Sequence, residues 1–305
     1  MPDTSAIASS PTIASYPVVV SSIVRSVPAR RHRLPARRVG LVIALSVGAV
    51  LMLFPFIWTV VTSISANGSV LSTPRLIPSH VTLAGYRQLF SSTIGVPIIR
   101  VVINSLVLAL ASMVLGVLSS AMAAYAFARL QFRFKNIVFV LYLATLMIPL
   151  QVLVVPLFIE MRTFHLVNSY IAVLAPTIAS ATGVFLIRQA IQTLPTDLDE
   201  AATIDGAGHL RIFFSIIVPN VRPALATFAV FAFMASWNNL LWPLVIINSP
   251  DHMTLPLALS MLHGEFSTQW NVVMAGSVLS IAPILLLYAF AQKYVVQGMA
   301  TTGLK

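Results

Sequence analysis

The sequence predicts an all-α polytopic membrane protein with six transmembrane helices, and three observations lead to that fold class. Of the 305 residues, 58% are hydrophobic and 9% are charged, whereas a soluble domain carries roughly 25% charged residues. The apolar residues lie in six long stretches, each near or above the roughly 20 residues that a helix needs to span a bilayer. None of these stretches shows the pattern of a membrane barrel, in which strands of about 10 residues alternate between polar and apolar positions. The composition excludes a soluble enzyme.

The six predicted spans contain few or no charged residues. They cover residues 39–64, 101–128, 137–159, 168–187, 223–247 and 269–292. Six prolines inside them remove helix hydrogen bonds and favour kinks: Pro55, Pro149, Pro156, Pro176, Pro243 and Pro283. The second span carries a small residue at every fourth position: Ser112, Gly116, Ser120, Ala124 and Ala128. Such a stripe lets helices approach closely, and we expect it to pack within the chain rather than against another chain.

The basic residues predict the orientation of the spans. With the N-terminus inside, the cytoplasmic segments hold 14 of the 18 Lys and Arg residues, as the positive-inside rule requires. We therefore expect a multi-pass protein of the bacterial cytoplasmic membrane with both termini cytoplasmic. Residues 1–36 end in a basic run and are predicted to form a disordered tail near anionic lipid. A nucleic-acid-binding arm is the weaker alternative. Residues 37–305 then form one six-helix domain.

The residue types that are absent from the spans and from the sequence restrict the classes of function that we expect. The cores of the six spans contain no Asp, Glu, Lys, Arg or His, although carriers driven by protons or sodium usually keep a carboxylate there. The energy source is therefore expected to lie in a partner subunit. The chain has no cysteine, and its six histidines are scattered. We predict no catalytic site and no metal site.

Polar residues in the spans mark a candidate substrate path. Trp237, Asn238 and Asn239 are consecutive in the fifth span, and Gln151 lies in the third. Amides pair with hydroxyl groups and an indole face stacks on a sugar ring, so this set suits a carbohydrate. Helix-to-helix hydrogen bonds with an aromatic anchor at the membrane interface are the structural alternative.

The loop at residues 195–222 has the pattern of a helix–turn–helix. Thr196 is a good N-cap residue, and Asp197, Asp199 and Glu200 suit the positive end of a helix dipole. Gly206 is predicted to form the turn. A second, amphipathic helix is expected from Leu210 to Val218, ending at Pro219, with these apolar residues: Ile212, Phe213, Ile216 and Ile217. Such an element is suited to docking a partner.

The same loop resembles the EAA motif of permeases from binding-protein-dependent ABC importers. The matching residues are Glu200, Ala201, Ala202, Asp205, Gly206, Ile216 and Pro219. Val218 departs from the family, which has Leu before the proline. Further segments look like the smaller, six-span partner of the maltose-type carbohydrate permeases: Tyr125–Leu130, Met147–Pro149, Ser236–Asn238 and Trp242–Pro243. The resemblance covers roughly residues 40–300, and the C-terminal tail is altered.

The resemblance implies the type I ABC importer permease fold and a set of partners. These are a second permease subunit, two copies of a cytoplasmic ABC ATPase, an extracytoplasmic sugar-binding protein and membrane lipid, with no nucleic acid. Glu200 and Asp205 would pair with basic groups of the ATPase. The chain itself would bind no cofactor, and it has no Gly-x-x-x-x-Gly-Lys-Ser/Thr loop for ATP. The expected cargo is an oligosaccharide or related polyol; the alternatives are another solute such as glycerol phosphate, or a stand-alone secondary carrier.

Overall fold

A computed structural model describes residues 36–66, 80–91, 95–265 and 269–302. For residues 36–39, 263–265, 291 and 293–302 it describes the backbone alone. The predicted tail, residues 1–36, lies outside the described part except for Ala36. In the described ranges all regular structure is helical, apart from one antiparallel bridge between Ser65 and Val81. The chain divides into two compact units, residues 1–51 and residues 52–305.

In the first unit, the described structure is the beginning of helix α1 (Ala36–Ser63). Its large apolar side chains from Leu41 to Leu51 are all more than half exposed. Its 24 residues from Gly40 to Ser63 are long and apolar enough to cross a membrane. A helix that is apolar on every side and exposed is suited to contact with lipid.

The second unit contains the other helices. They are α2 (Ala84–Leu89), α3 (Ile98–Arg129), α4 (Lys135–Ala144), α5 (Leu150–Thr163), α6 (Tyr170–Leu174), α7 (Ala181–Gln192), α8 (Asp197–Ile204), α9 (His209–Ile212), α10 (Val218–Asn220), α11 (Arg222–Trp237), α12 (Leu241–Ile246), α13 (Leu255–Glu265) and α14 (Trp270–Thr302). Among the described residues, two single helices besides α1 are long and apolar enough to span a membrane, over Ile98–Arg129 and Trp270–Phe290. Three bent helix pairs bring the number of spans that length and composition allow to six.

The third and fourth predicted spans are not continuous helices. Between Lys135–Met147 and Leu150–Thr163 the axis bends by 102°. Ile148 has an extended backbone because the ring of Pro149 disfavours a helical conformation in the residue before it. In the fourth span the axis bends by 45° before α7, whose first turn is capped where the Ser180 hydroxyl accepts from the Gly183 N–H at 3.2 Å.

The fifth predicted span, residues 223–247, is also broken. Helix α11 has 16 residues, a length of about 24 Å, which is less than the thickness of a hydrocarbon core. It ends at Trp237, and α12 begins only at Leu241 after a non-helical link. The N-terminal end of α11 meets the segment before it at a bend of 83°.

The small-residue stripe of α3 packs inside the chain, as predicted. Four of its members are buried and Ala128 is half-buried, because α3 lies against α7 and α11. Ser119 donates a hydrogen bond to the carbonyl of Ile178. The hydroxyl of Ser120 lies 3.5 Å from the carbonyl of Ser180. Short side chains thus let α3 approach the backbone of the segment that leads into α7.

Candidate functional site

The first helix of the predicted docking loop, α8, extends from Asp197 to Ile204 and buries none of its residues. The side chain of Thr196 makes no capping hydrogen bond, contrary to the prediction. The backbone of Thr196 is helical, with φ −69° and ψ −26°, whereas a capping side chain needs an extended backbone. Its carbonyl accepts from the N–H groups of Asp199 and Glu200 at 2.9 and 3.2 Å.

Gly206 forms the predicted turn. Its φ of +78° is in the left-handed region, which glycine enters without the steric cost of a Cβ atom. The Gly206 N–H donates to the carbonyl of Thr203 at 3.0 Å, and the Ala207 N–H donates to that of Ala202 at 2.9 Å. These two bonds are those of a Schellman motif. The turn at Gly206 is therefore confirmed.

The second helix of the loop differs from the prediction. Residues 209–220 form α9, then a π-helical segment Phe213–Ile217, then α10. Pro219 lies within α10 instead of ending the helix. Since Pro219 has no N–H for the carbonyl of Ser215 and its ring would crowd that carbonyl, the wider π turn just before it accommodates the ring.

The apolar side chains of this segment face inward. Ile212, Phe213 and Ile217 are at most 3% exposed, and Ile216 packs at the edge of the same cluster. The Phe213 ring lies 5.5 Å from that of Tyr125 on α3. The predicted apolar face therefore belongs to the core formed with α3 and α7, and it is not a docking surface.

Four other apolar side chains of the loop are exposed, and the sequence analysis missed them. They are Leu198 at 41%, Ile204 at 86%, Leu210 at 68% and Phe214 at 54% exposure. Leu210 and Phe214 alternate with the buried residues around Ile212, so one face of residues 209–220 is exposed. Ile204 lies just before the turn at Gly206. Its position next to a predicted turn is the local signal from which its exposure could have been predicted. We call these four residues, with Glu200 and Asp205, the exposed loop face.

The acidic residues of the loop divide into two groups. Asp197, Glu200 and Asp205 are exposed, and in the described part of the chain none of them forms an ion pair. Asp199 instead forms an ion pair with Arg129, the last residue of α3, whose Nε lies 2.7 Å from Asp199 Oδ2. Ala201 is exposed, and Ala202 is half-buried against the core. In the sequence, Arg129 was one of the basic residues near the membrane and a member of the segment Tyr125–Leu130 that resembles the carbohydrate permeases, but its pairing with Asp199 was not predicted.

Substituting Gly206 by valine is expected to open the turn. Left-handed backbone costs an ordinary residue roughly 1–2 kcal/mol, so we expect amide exchange at the Ala207 N–H to become about tenfold faster. Hydrogen exchange with mass spectrometry of the detergent-solubilised chain measures it. Gly206→Asn should exchange at close to the native rate because Asn tolerates this conformation. Gly208→Val is the matched control, since Gly208 has a φ of −74° and open space around it; equal exchange in Gly206→Val and Gly208→Val would contradict the prediction.

One residue of the candidate substrate path, Trp237, does not lie where the sequence predicts it. Trp237 is 1% exposed, and its indole N–H donates to the carbonyl of Ser280 at 3.0 Å. Its ring is stacked on Phe233, with ring centroids 5.8 Å apart. The Trp237 indole is packed between α11 and α14. Neither face of its ring is therefore accessible to a sugar in this structure.

The amides of the path are more accessible. Asn238 is exposed, and its Nδ2 donates to the carbonyl of Met234 at 3.0 Å. Asn239 is half-buried, and its Oδ1 accepts from the Trp242 N–H at 3.3 Å, so it caps α12. Gln151 is exposed near the start of α5. Asn238 and Gln151 thus offer amide groups, while Asn239 serves the break between α11 and α12.

Comparison with known proteins identifies a family and several relatives. Residues 116–301 match the family model described as "Binding-protein-dependent transport system inner membrane component". A lactose transport system permease protein of Rhizobium radiobacter is 37% identical over 84% of this chain and 92% of its own length. An arabinooligosaccharides transport system permease protein of Halalkalibacterium halodurans is 42% identical over 49% of this chain. The aligned part spans 53% of that relative.

Two further comparisons bear on cargo and fold. An sn-glycerol-3-phosphate transport system permease protein of Agrobacterium fabrum is 30% identical over 88% of this chain and 98% of its own length. The structure is similar to a chain of a bacterial ABC transporter involved in the import of the acidic polysaccharide alginate, with a TM-score of 0.70 and 24% identity. The likeness covers 85% of this chain and 96% of the other. It is a likeness of fold, and it confirms the predicted fold class.

Proposed function

Because the chain belongs to the family of binding-protein-dependent transport system inner membrane components, we propose that it is the permease subunit of an ATP-driven importer and that its cargo is a carbohydrate. The observation that carries the proposal is the exposed loop face. Helix α8 buries none of its residues, and together with Asp205, which follows it, it presents exposed carboxylates beside exposed apolar groups. Exposed apolar side chains beside charged groups are typical of a surface that binds another protein.

The proposed partners follow from that surface and from the family. The exposed loop face would sit on a cytoplasmic ABC ATPase, with Glu200 and Asp205 against basic groups and Ile204 in an apolar recess. Two ATPase copies, a second permease subunit and an extracytoplasmic sugar-binding protein would complete the importer. This arrangement places both termini and the loop in the cytoplasm of a bacterial cell, and it places the apolar spans in contact with lipid. ATP would be hydrolysed by the partner ATPases, and the chain would act as a transport subunit rather than as an enzyme.

The relatives support a carbohydrate cargo. The lactose and arabinooligosaccharide permeases are both named for sugars, and we propose an oligosaccharide or related polyol here. Glycerol phosphate is the second candidate, because the permease of that system aligns over 88% of this chain. Asn238 and Gln151 could donate to the hydroxyl groups of either cargo. These amides therefore do not indicate which cargo is transported, and uptake measurements decide between the two solutes.

Uptake in cells that carry the complete set of neighbouring subunits tests the proposal. Labelled lactose, an arabino-oligosaccharide and glycerol 3-phosphate would be offered to the native chain and to Glu200→Lys. We expect ATP-dependent uptake of one sugar, and a fall of roughly tenfold or more in the variant, because reversing a charge at a docking contact costs about as much as losing a hot-spot residue.

The control for this experiment is Glu160→Lys. Glu160 is also exposed and undergoes the same charge change, but it lies on α5 and outside the loop, so uptake should stay close to native. Both variants must insert into the membrane in native amounts. Uptake that persists without ATP, or that survives Glu200→Lys, would reject the ATPase-coupled function.

A further inference from the structure

Helix α8 has little of its own to hold it in place. It has eight residues, none of which is buried, and helices this short are marginal without outside contacts. In the described part of the chain it packs extensively on no other element, and its half-buried apolar residue, Ala202, packs against the core cluster. Its direction must therefore be set by its two chain ends and by the contacts of individual side chains.

One side chain from outside the loop supplies such a contact. Arg129 is the last residue of α3, and its guanidinium lies 2.7 Å from the carboxylate of Asp199 in the first turn of α8. Its Nη2 also donates to the carbonyl of Leu194 at 2.8 Å, with that of Pro195 at 3.5 Å. A single guanidinium thus holds both α8 and the segment that leads into it.

The burial of this pair distinguishes it from an ordinary surface contact. The side chains of Arg129 and Asp199 are 10% and 18% exposed, whereas those of the other described ion pair, Arg100 and Asp251, are 59% and 64% exposed. Pulling Arg129 away from Asp199 would leave a carboxylate with little water around it, which is costly. The distance between the end of α3 and the first turn of α8 is therefore held tightly.

The pair is poorly suited to a purely stabilising role. Arg129 Nε lies 2.7 Å from Asp199 Oδ2, whereas Arg129 Nη2 donates to the carbonyl of Leu194, so the guanidinium and the carboxylate meet without the paired bonds of a bidentate contact. An ion pair with this low exposure and a single close contact adds little stability compared with an apolar pair of the same shape. What it does provide is a defined direction between two elements.

We propose that Arg129 and Asp199 form a positioning pair that transmits movement of the docking helix α8 to the membrane helix α3. The proposal rests on the proposed function, since it assumes that an ATPase moves α8. Helix α3 has 32 residues and is about 48 Å long, so a displacement at Arg129 is delivered to a rigid element that packs on α7 and α11. The pair acts through position and touches neither ATP nor cargo.

The test separates coupling from assembly in the complete transporter reconstituted into vesicles. ATP hydrolysis and sugar uptake are measured together in Arg129→Met with Asp199→Leu, which removes both charges and leaves neither unpaired. We expect assembly and ATP hydrolysis to remain, while the sugar transported per ATP falls about tenfold. Arg100→Met with Asp251→Leu is the matched control and should keep the native ratio. A native ratio in the Arg129/Asp199 variant would overturn the proposal.

A double-cysteine variant provides a second test in case the substitutions to Met and Leu disturb the loop. The chain contains no cysteine, so Arg129→Cys with Asp199→Cys offers two unique thiols for a short bis-maleimide. The uncross-linked protein should show the reduced ratio, and cross-linking should restore it, because the link replaces the lost contact. Cross-linking without recovery would overturn the positioning role. By contrast, native uptake by Glu200→Lys would reject the docking function itself, so the two failures are distinguishable.

Discussion

Substituting Trp237 by alanine is expected to lower the free energy of unfolding by about 3–5 kcal/mol, the usual cost of truncating a buried aromatic side chain. Trp237 is 1% exposed and stacked on Phe233. Its indole N–H donates to the carbonyl of Ser280 on α14, so the substitution also removes a hydrogen bond between α11 and α14. Thermal unfolding of the detergent-solubilised chain measures the loss, together with the yield of monodisperse protein.

Two companion variants separate a packing role of Trp237 from a role in sugar binding. Phe231→Ala removes a large ring from the same helix, but Phe231 is 46% exposed, so its unfolding temperature should change little. Trp237→Phe keeps most of the stacked ring and loses the hydrogen bond, so it should fall between the two. If Trp237→Ala unfolds at the native temperature and loses only affinity for sugar, the carbohydrate-contact interpretation of Trp237 would be restored.

The structure of residues 195–222 was predictable where it depends on local sequence. Helix α8 and the left-handed turn at Gly206 depend on neighbours in sequence, and the signals for both are visible there. Which face of residues 209–220 is buried depends instead on α3 and α7. Ile212, Phe213 and Ile217 pack against those helices, and no property of the segment itself distinguishes them from exposed Leu210 and Phe214.

The continuity of the spans was less predictable than their existence. Hydropathy is a sum over residues and does not register a break, so the third and fifth spans looked continuous. Pro149 and Pro283 illustrate the difficulty: Pro149 follows an extended residue at a sharp bend, whereas Pro283 lies inside α14. A proline permits a bend, but the packing around the residue before it decides whether the bend occurs.

The partner of Arg129 could not be inferred from its own surroundings. Arg129 ends α3, where a basic residue suits both the helix dipole and the positive-inside rule, so its charge needs no partner to account for it. Asp199 lies in another loop, where a carboxylate suits the start of α8 for the same electrostatic reason. Two residues that each look satisfied locally are joined only by the packing of α3 against α7 and the loop.

Substituting Gly183 by valine is expected to disrupt the place where α3, α7 and α11 meet. A Cβ atom on Gly183 would lie 2.3 Å from Cζ of Phe228 and 2.6 Å from Oγ of Ser120. Phe228 and Ser120 are 4% and 1% exposed, so neither can move away into open space. We expect a loss of about 1–3 kcal/mol, the usual cost of overpacking, and a correspondingly lower unfolding temperature in detergent.

The Gly183 substitution has an internal check, because helix propensity acts in the opposite direction. Replacing a helical glycine by alanine ordinarily gains up to about 1 kcal/mol, so a lower unfolding temperature for Gly183→Ala would already isolate the clash. Gly48→Val is the control, since Gly48 is helical and has no atom within 4 Å of the added Cβ. Phe228→Leu removes the ring atom nearest to Gly183, and adding it to Gly183→Ala should restore part of the lost stability, since residues in contact are energetically coupled. Equal unfolding temperatures for Gly183→Val and the native chain would show that α7 can move away from α11, and the close packing of these helices would then not limit the fold.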